Sequence, residues 1–259
     1  MTQNEKLLWL IKYLLAENPR YNKVEIPDNT DEQFNLYRSL VNVRMPECIS
    51  DAYLSVEDEY LKNEISQKGI THIYELMPLY DNLYLWQGDI TTIDADAIVN
   101  AANNQLLGCF CPCHVCIDNC IHTFAGVRLR LKCAGIMQKQ GFKEPTGKAK
   151  ITPAYNLPSK YILHTVGPII SGILTKKDKE LLASCYYECL KKADEYNLNS
   201  IAFCCISTGE FRFPNDKAAE IAVDTVKKYK AETNSRIKVI FNVFKDKDYK
   251  IYRELLSAD

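Results

Sequence analysis

The sequence lacks an excess of either charge and any long apolar run. Its 32 Lys and Arg residues are balanced by 33 Asp and Glu residues, which gives a formal net charge of -1. Because proteins that hold long nucleic acid need a basic field to neutralise phosphates, we expect no such partner, although a local anion pocket is compatible with this charge. No apolar stretch is long enough to cross a bilayer, so we expect no membrane insertion.

The N-terminus lacks the features of a secretion signal. Residues 1–6 carry Asn and Glu and lead into a charged helical pattern, instead of a basic start and an apolar centre. We therefore expect a cytoplasmic protein in which most of the 11 cysteines are reduced. The sequence also contains no internal repeat and no low-complexity tract.

The spacing of apolar residues changes at about residue 80. Before that point it predicts three helices, of which the second spans 32–43 with Asn29 or Thr30 as N-cap and the third spans 51–67 and ends near Gly69. Apolar residues share one face of the first helix: Leu7, Leu8, Ile11, Leu14 and Leu15. Because residues 1–80 contain no catalytic constellation, we interpret them as a helical extension packed on a main domain of residues 81–259.

Strands alternate with helices in this main domain. The predicted strands are 83–87, 97–100, 150–154, 161–165, 200–206 and 236–243, and the predicted helices are 118–137, 179–196, 215–229 and 246–256. Near-continuous apolar strands between amphipathic helices indicate a sheet buried on both faces, in a three-layer α/β/α architecture. Ligands of such folds bind at the carboxyl ends of strands.

Residues 108–122 concentrate metal-binding side chains. This segment contains five cysteines, two histidines and one carboxylate, and it lies between a strand end and a predicted helix start. Such a cluster is more typical of an active site than of a core. By contrast, Cys204 and Cys205 lie in apolar, strand-like sequence and are expected to be small core residues.

Polar residues at two predicted strand ends suit a nucleotide ligand. Asp89 can accept a hydrogen bond from an exocyclic amine such as that of adenine, or it can cap the following turn. Asn100 and Asn103 flank two alanines, and Asn103 can donate to and accept from ribose hydroxyls. The alternative is that both amides only tie down the turn.

Six short segments together resemble the macrodomain family, whose members bind ADP-ribose. Five of them are Gly88-Asp89-Ile90, Val99-Asn100-Ala101-Ala102-Asn103, Thr146-Gly147-Lys148-Ala149, His164-Thr165-Val166-Gly167-Pro168 and Ile206-Ser207-Thr208-Gly209-Glu210-Phe211. The sixth, Ile117-Asp118-Asn119-Cys120-Ile121-His122, keeps the family register. The resemblance covers residues 82–259 and implies a macrodomain with a mixed central sheet.

Where ordinary macrodomains have a glycine-rich loop, this chain has cysteines and a histidine. The pattern Cys-Phe-x-Pro-x-His-x-Cys-Ile-Asp-Asn, beginning at Cys109, resembles the zinc-containing macrodomains, which also carry an N-terminal helical extension. This resemblance implies one Zn²⁺ per chain, held by Cys109, His114 and Cys116.

The chemistry of these side chains is consistent with a site of three protein ligands and an open fourth position. Thiolate and imidazole suit zinc, and a fourth position left to water or substrate is typical of catalytic sites. Cys111, Cys113 and Cys120 compete for a fourth place, which would make a closed structural site. The other alternative is a cluster of reduced thiols without metal.

The resemblance implies a hydrolase that removes ADP-ribose, mainly mono-ADP-ribose, from modified protein side chains. Asp118 matches the aspartate near the anomeric carbon and is expected to orient or activate a water with Asn103 nearby, although a carboxylate at a helix start can also be a mere cap. Adenine would lie near Asp89, the diphosphate between 116–119 and 207–211, and the distal ribose at Asn103, Asp118 and zinc. The expected substrate contacts are Asp89, Ile90, Asn103, Cys116, Ile117, Asp118, Asn119, Ser207, Thr208, Gly209, Glu210 and Phe211.

Two other functions stay open. The first is a module that binds ADP-ribose without cleaving it, with structural zinc, and the second is a structural zinc protein that contacts partners through its helical extension. The resemblance also implies partners: an ADP-ribosylated lipoyl carrier resembling the glycine-cleavage H protein and a sirtuin-like ADP-ribosyltransferase. We expect His122 and His164 to be hydrogen-bonded core residues with no catalytic role.

Overall fold

The computed structural model describes residues 1–257, and its first part contains the three predicted helices, which we continue to call the helical extension. The helices are α1 (Gln3–Ala16), α2 (Thr30–Val43) and α3 (Asp51–Lys68). Side chains cap each N-terminus: Thr2 forms a capping box with Glu5, Asn29 accepts from two backbone N–H groups of the first turn, and Ser50 accepts from Tyr53 N. Of the two N-caps considered for α2, Asn29 is therefore the correct one.

The main domain is built on a six-stranded sheet with the order β1-β6-β5-β2-β4-β3. The strands are β1 (Leu83–Gln87), β2 (Ala97–Ala101), β3 (Ala149–Pro153), β4 (Tyr161–Thr165), β5 (Ser200–Phe203) and β6 (Lys238–Val243). All neighbouring strands are parallel except β3, which pairs antiparallel with β4. This arrangement confirms the predicted mixed central sheet.

Five helices accompany the sheet within residues 1–257. They are α4 (Ile117–Ala125), α5 (Val127–Gln140), α6 (Lys176–Glu195), α7 (Asn215–Thr233) and α8 (Asp246–Ser257). Helices α6 and α8 both pack on α7, while α4 contacts β2 and α5 contacts β3. Every residue of β5 is buried, as expected for a strand covered on both faces. None of the helices in this part of the chain has the length and apolar content needed to cross a membrane.

The prediction of a single helix over 118–137 is wrong, because the helix is interrupted at Gly126. Gly126 has φ +88°, a conformation that favours glycine, and it separates α4 from α5. A Cβ atom at this position would lie 2.7 Å from Glu57 Oε2. The break therefore lets Glu57 of α3 reach the first residue of α5.

The strand predicted for 200–206 is also too long. Strand β5 pairs with β6 as far as Phe203 and with β2 only at Ile201 and Ala202, so residues 204–206 have no strand partner. They leave the sheet and lead into the loop 207–211. This early exit places that loop above the carboxyl edge of the sheet.

The apolar core runs without interruption from α1–α3 into the sheet. Two buried polar side chains strengthen this junction. Glu57 Oε2 accepts a hydrogen bond from Val127 N at 2.9 Å, and the Arg130 guanidinium donates to the carbonyl oxygens of Val41 and Arg44 at 2.8 and 2.6 Å. Buried polar groups on both sides thus have hydrogen-bond partners across the junction, as burial requires.

Candidate active site

The predicted site residues gather at one edge of the sheet. Strands β1, β2, β4, β5 and β6 run parallel, so their carboxyl ends meet at this edge. Asp89 follows β1, Asn103 follows β2 and the loop 207–211 follows β5. Residues 108–116, which we call the cysteine loop, lead from this edge into α4.

Cys109, His114 and Cys116 form a compact group of potential metal ligands. One ligand atom from each lies within 4.8 Å of the others, and Cys109 Sγ is 3.7 Å from His114 Nδ1. Tetrahedral zinc would place sulfur and nitrogen about 3.6 Å apart. All three residues are partly exposed, so the donor set and its spacing fit zinc with a fourth position open toward solvent or substrate.

The competing cysteines point elsewhere. Cys111 is exposed, and Cys113 Sγ lies 3.2 Å from Ser39 Oγ and 3.3 Å from Asn35 O. Cys120 Sγ accepts from the Arg38 guanidinium at 3.5 Å. In the described part of the chain, none of these thiols joins the ligand group of Cys109.

Asp118 is a buried carboxylate that follows the last potential ligand by two residues. Asn100 Nδ2 donates to its Oδ1 at 2.8 Å, and Asn103 Nδ2 approaches its Oδ2 at 3.4 Å. Burial raises the pKa of the Asp118 carboxyl to about 6, although the Asn100 hydrogen bond and the charge of Arg130 act in the opposite direction. The site therefore holds an oriented carboxyl group shielded from bulk water.

Asn100 serves this carboxylate and does more than tie down a turn. Its Nδ2 also lies 3.1 Å from His164 Nδ1, and His164 Nε2 lies 2.9 Å from Thr152 Oγ1. His164 is thus a hydrogen-bonded core residue, as predicted. Asn103 ties down the turn, the alternative considered for it, because Nδ2 also donates to Gly108 O at 3.0 Å and Oδ1 accepts from Gln105 N at 2.9 Å.

His122 departs from the expectation of a hydrogen-bonded core histidine. It is buried, and neither ring nitrogen has a hydrogen-bond partner within residues 1–257. The carboxylate oxygen Asp118 Oδ1 lies 3.6 Å from Nε2. Gly108 lies directly against the ring, since a Cβ atom there would be 2.8 Å from it. Burial lowers the pKa of His122 well below its usual range, so the imidazole is neutral.

Both carboxylate oxygens of Asp89 accept hydrogen bonds from neighbouring residues. Its Oδ1 accepts from Thr91 N and Thr91 Oγ1, and its Oδ2 accepts from Lys68 Nζ at 2.9 Å. Burial acts to raise the pKa of Asp89, but the hydrogen bonds of Thr91 and the charge of Lys68 outweigh it and lower the pKa. The carboxylate therefore caps its turn and stays ionised, with Ile90 buried beneath it.

The loop after β5 approaches the cysteine loop. Ser207 is buried with φ +66°, and its carbonyl accepts from Phe213 N, while Arg212 N donates to Gly209 O. Glu210 Oε1 reaches to 3.7 Å from His114 Nε2. Thr208 and Phe211 are partly buried, and Gly209 is exposed. The two loops thus face each other across the carboxyl edge.

The side chain of Asn119 belongs to the scaffold of the site. It is buried, Nδ2 donates to Cys111 O at 2.9 Å, and Oδ1 accepts from Arg38 Nη2 at 2.8 Å. Helix α4 can contact a ligand through its N-terminus. Cys116 is the N-cap, and the first turn carries the backbone N–H groups of Ile117, Asp118 and Asn119.

The helical extension contributes residues that the sequence interpretation missed. Arg38 and Asn42 of α2 contact the cysteine loop, and Lys68 of α3 contacts Asp89. A sequence signal for α2 exists in retrospect: Asn35, Arg38, Ser39 and Asn42 have the i, i+3, i+4, i+7 spacing of one helix face. Lys68, at the end of α3, is indistinguishable by sequence from an ordinary basic residue in the last turn.

Comparison with known proteins identifies close relatives over the whole chain. The Macro domain family model matches residues 99–222. A protein-ADP-ribose hydrolase of Treponema medium is 59% identical over 261 residues, covering 99% of this chain and 100% of that protein. One of Staphylococcus aureus is 51% identical, covering 98% of this chain and 96% of that protein.

Solved structures agree in fold. The Trypanosoma brucei macrodomain in complex with ADP-ribose has a TM-score of 0.65 at 28% identity and covers 85% of this chain and 94% of that one. The Oceanobacillus iheyensis macrodomain with ADP has a TM-score of 0.62 at 36% identity, covering 71% of this chain and 94% of that one.

Proposed function

Because the chain belongs to the macrodomain family, we propose that it is a hydrolase that removes ADP-ribose, mainly mono-ADP-ribose, from modified protein side chains. Relatives that align over almost its whole length are named protein-ADP-ribose hydrolases. The observation that carries the proposal is the buried carboxyl of Asp118, oriented by two asparagine amides next to the Cys109, His114 and Cys116 group.

In this proposal ADP-ribose lies along the carboxyl edge of the sheet. Adenine contacts Asp89 and Ile90, and the diphosphate lies between the N-terminus of α4 and the loop 207–211, where backbone N–H groups suit an anion. The distal ribose lies at Asn103 and Asp118. The support is that the structure brings all of these segments to one edge.

We propose one zinc ion per chain, held by Cys109, His114 and Cys116. The 3.7 Å spacing of Cys109 Sγ and His114 Nδ1, with the Cys116 thiol within 4.8 Å of both, supports this assignment. Zinc bound there would act as a Lewis acid that polarises a ribose oxygen or a water. His114 would use Nδ1 for the metal, which leaves Nε2–H directed at Glu210.

The protein's own groups account for the proton transfer. Water adds its oxygen to the anomeric carbon of the distal ribose, and the glycosidic bond to the protein side chain breaks. Asp118 orients the water, accepts its proton and returns a proton to the departing side chain. Asn100 holds the carboxyl in place during this step.

The protein partner belongs to the same proposal. The substrate is an ADP-ribosylated protein, and the family resemblance favours a lipoyl carrier like the glycine-cleavage H protein, modified by a sirtuin-like transferase.

Release of labelled ADP-ribose from a mono-ADP-ribosylated protein tests the activity. The wild type should release the label, and Asp118→Asn should slow release by about 10²- to 10⁴-fold while ADP-ribose affinity, measured by calorimetry, stays close to wild type. Asp96→Asn is the matched control, since Asp96 is also a buried aspartate but pairs with Lys160 at the opposite end of β2. A wild type that binds ADP-ribose tightly and releases none is a binding module.

A further inference from the structure

Four polar residues of α2 lie on one face of the helix. Three contact the cysteine loop or the start of α4 through their side chains, and Asn35 contacts the loop through its backbone carbonyl. The four are Asn35, Arg38, Ser39 and Asn42, and we call them the α2 polar face. The residues that they meet lie more than 70 positions later in the chain. This face is therefore a long-range contact built by the fold, not a local turn.

Cys113, at the tip of the cysteine loop, is the first point of attachment. Its backbone has φ +53°, a conformation that is costly for a residue other than glycine. Asn42 Oδ1 accepts from Cys113 N at 2.9 Å, while Asn42 Nδ2 donates to Thr123 Oγ1 of α4 at 3.0 Å. The Asn42 side chain is 1% exposed, so this bridge is protected from competing water.

Arg38 is the second point of attachment. Its Nη2 donates to His114 O at 2.7 Å and to Asn119 Oδ1 at 2.8 Å, and Nε donates to the same Oδ1 at 3.3 Å. Cys116 lies between these two partners in the chain. One guanidinium thus joins the residue that carries the imidazole ligand to the first turn of α4, on either side of a thiol ligand.

Asn119 extends this attachment into the loop. Its Nδ2 donates to Cys111 O at 2.9 Å, while its Oδ1 accepts from Arg38. The backbone of the cysteine loop is therefore held at Cys111, Cys113 and His114. Fixing ligands in place before binding reduces the entropy lost when a metal binds.

We infer that α2 of the helical extension is a structural wall of the active site, and that Arg38 and Asn42 are positioning residues that pre-organise the cysteine loop for its metal. The inference rests on the proposed function for the identity of the metal. The hydrogen bonds of Arg38 and Asn42 to the loop reach backbone atoms and not the metal-binding atoms of the ligand group, so neither is a catalytic residue.

Zinc affinity, measured by competition with a chromophoric chelator, is the first test. Arg38→Ala and Asn42→Ala should each weaken zinc binding about 10- to 100-fold, as losses of outer-shell partners do. Arg38→Lys should recover only part of the affinity, because an ammonium group cannot reproduce the planar fork that serves two acceptors.

Arg44→Ala is the matched control for general loss of stability. Arg44 caps the same helix and donates to the Glu17 carboxylate at 2.7 and 2.9 Å and to Glu47 O at 2.9 Å, away from the cysteine loop. It should lower the melting temperature without changing zinc affinity. Equal weakening of zinc binding by Arg44→Ala and Arg38→Ala would overturn the inference.

Alkylation of Cys113 in metal-free protein gives a readout that needs neither zinc nor hydrolysis. Because Cys113 Sγ lies against Ser39 Oγ and Asn35 O, its labelling rate, followed by peptide mass spectrometry, should rise at least severalfold in Arg38→Ala and Asn42→Ala. Unchanged labelling in both variants contradicts the inference. If the wild type takes up no zinc, the metal assignment fails, and the labelling rates still decide whether α2 shapes the loop.

Discussion

The side-chain amide of Asn100 donates a 2.8 Å hydrogen bond to Asp118 Oδ1 inside the core. The same nitrogen lies 3.1 Å from His164 Nδ1, so both of its protons are in use and His164 Nδ1 is an acceptor. His164 must then carry its proton on Nε2, which faces Thr152 Oγ1. Burial lowers the pKa of His164 to about 3, which keeps this ring neutral and the arrangement intact.

Removal of this amide should impair turnover more than binding. Asn100→Ala deletes a hydrogen bond to a charged group, and such bonds contribute about 1.5–3 kcal/mol. We expect kcat to fall about 10- to 100-fold with ADP-ribose affinity nearly unchanged, measured by label release and calorimetry. Asn156→Ala is the control, because Asn156 is also buried but donates to Ala125 O away from Asp118. Equal losses of kcat in both variants would show that Asn100 acts only through stability.

The zinc content of cysteine variants should distinguish the ligand cysteines of the loop from the other cysteines. Purified wild type is expected to contain about one zinc per chain, and Cys109→Ala and Cys116→Ala should lose it because each removes one of three ligands. Cys111→Ala should keep the metal, since Cys111 is exposed and lies outside the ligand group. Elemental analysis after dialysis against a weak chelator measures this. Loss of zinc from Cys111→Ala would instead support a closed four-ligand structural site.

Adenine recognition by Asp89 should be visible with a base that lacks the exocyclic amine. Asp89 is ionised and oriented by Thr91 and Lys68, so it can accept from the N6 amine of adenine. Wild type should bind ADP-ribose about tenfold more tightly than inosine diphosphate ribose, the value of one good hydrogen bond. Asp89→Ala should bind the two ligands equally, as measured by calorimetry. A preference that survives this substitution would place the adenine elsewhere.

Local sequence patterns predicted much of the fold and less of the site. Strands 83–87 and 161–165 were predicted to the residue, because apolar runs bounded by turn residues are decided locally. The break at Gly126 was missed, since a glycine inside an apolar helical pattern is often tolerated. Glu57, about 70 positions earlier, is what occupies the space beside this glycine.

The site shows the same division between local and long-range information. The ligand group of Cys109, His114 and Cys116 lies within eight residues of sequence, and the structure brings the three together as expected. The contacts of Arg38 with His114 and Asn119 span 76 and 81 positions. Such contacts depend on how α2 docks against α4, which the periodicity of either helix does not specify.

Stability should depend on pH through Glu57, which joins the extension to the main domain. Its Oε1 accepts from the hydroxyls of Tyr37 and Tyr53, its Oε2 accepts from Val127 N, and the charge of Asp58 lies nearby. Burial raises the pKa of Glu57 from 4.5 to about 7, and it outweighs the three hydrogen bonds that favour the charged form. Between these two pH values the folded protein keeps a proton that the unfolded chain has lost.

The free energy of unfolding should therefore fall as pH rises from about 4.5 to about 7, by up to about 3 kcal/mol from this group, with no further change from it above that range. Glu57→Gln cannot ionise, so it loses this dependence. In this variant the side-chain NH₂ group takes the place of Oε2 and faces Val127 N–H. Both donors then lack an acceptor, which costs about 1–3 kcal/mol. Wild type should be clearly more stable than Glu57→Gln at pH 5, and the difference should narrow or reverse by pH 8. Urea unfolding at both pH values measures this difference in stability, and Glu59→Gln, at an exposed position, is the control. A difference that is constant or widens with pH would show that Glu57 is ionised throughout.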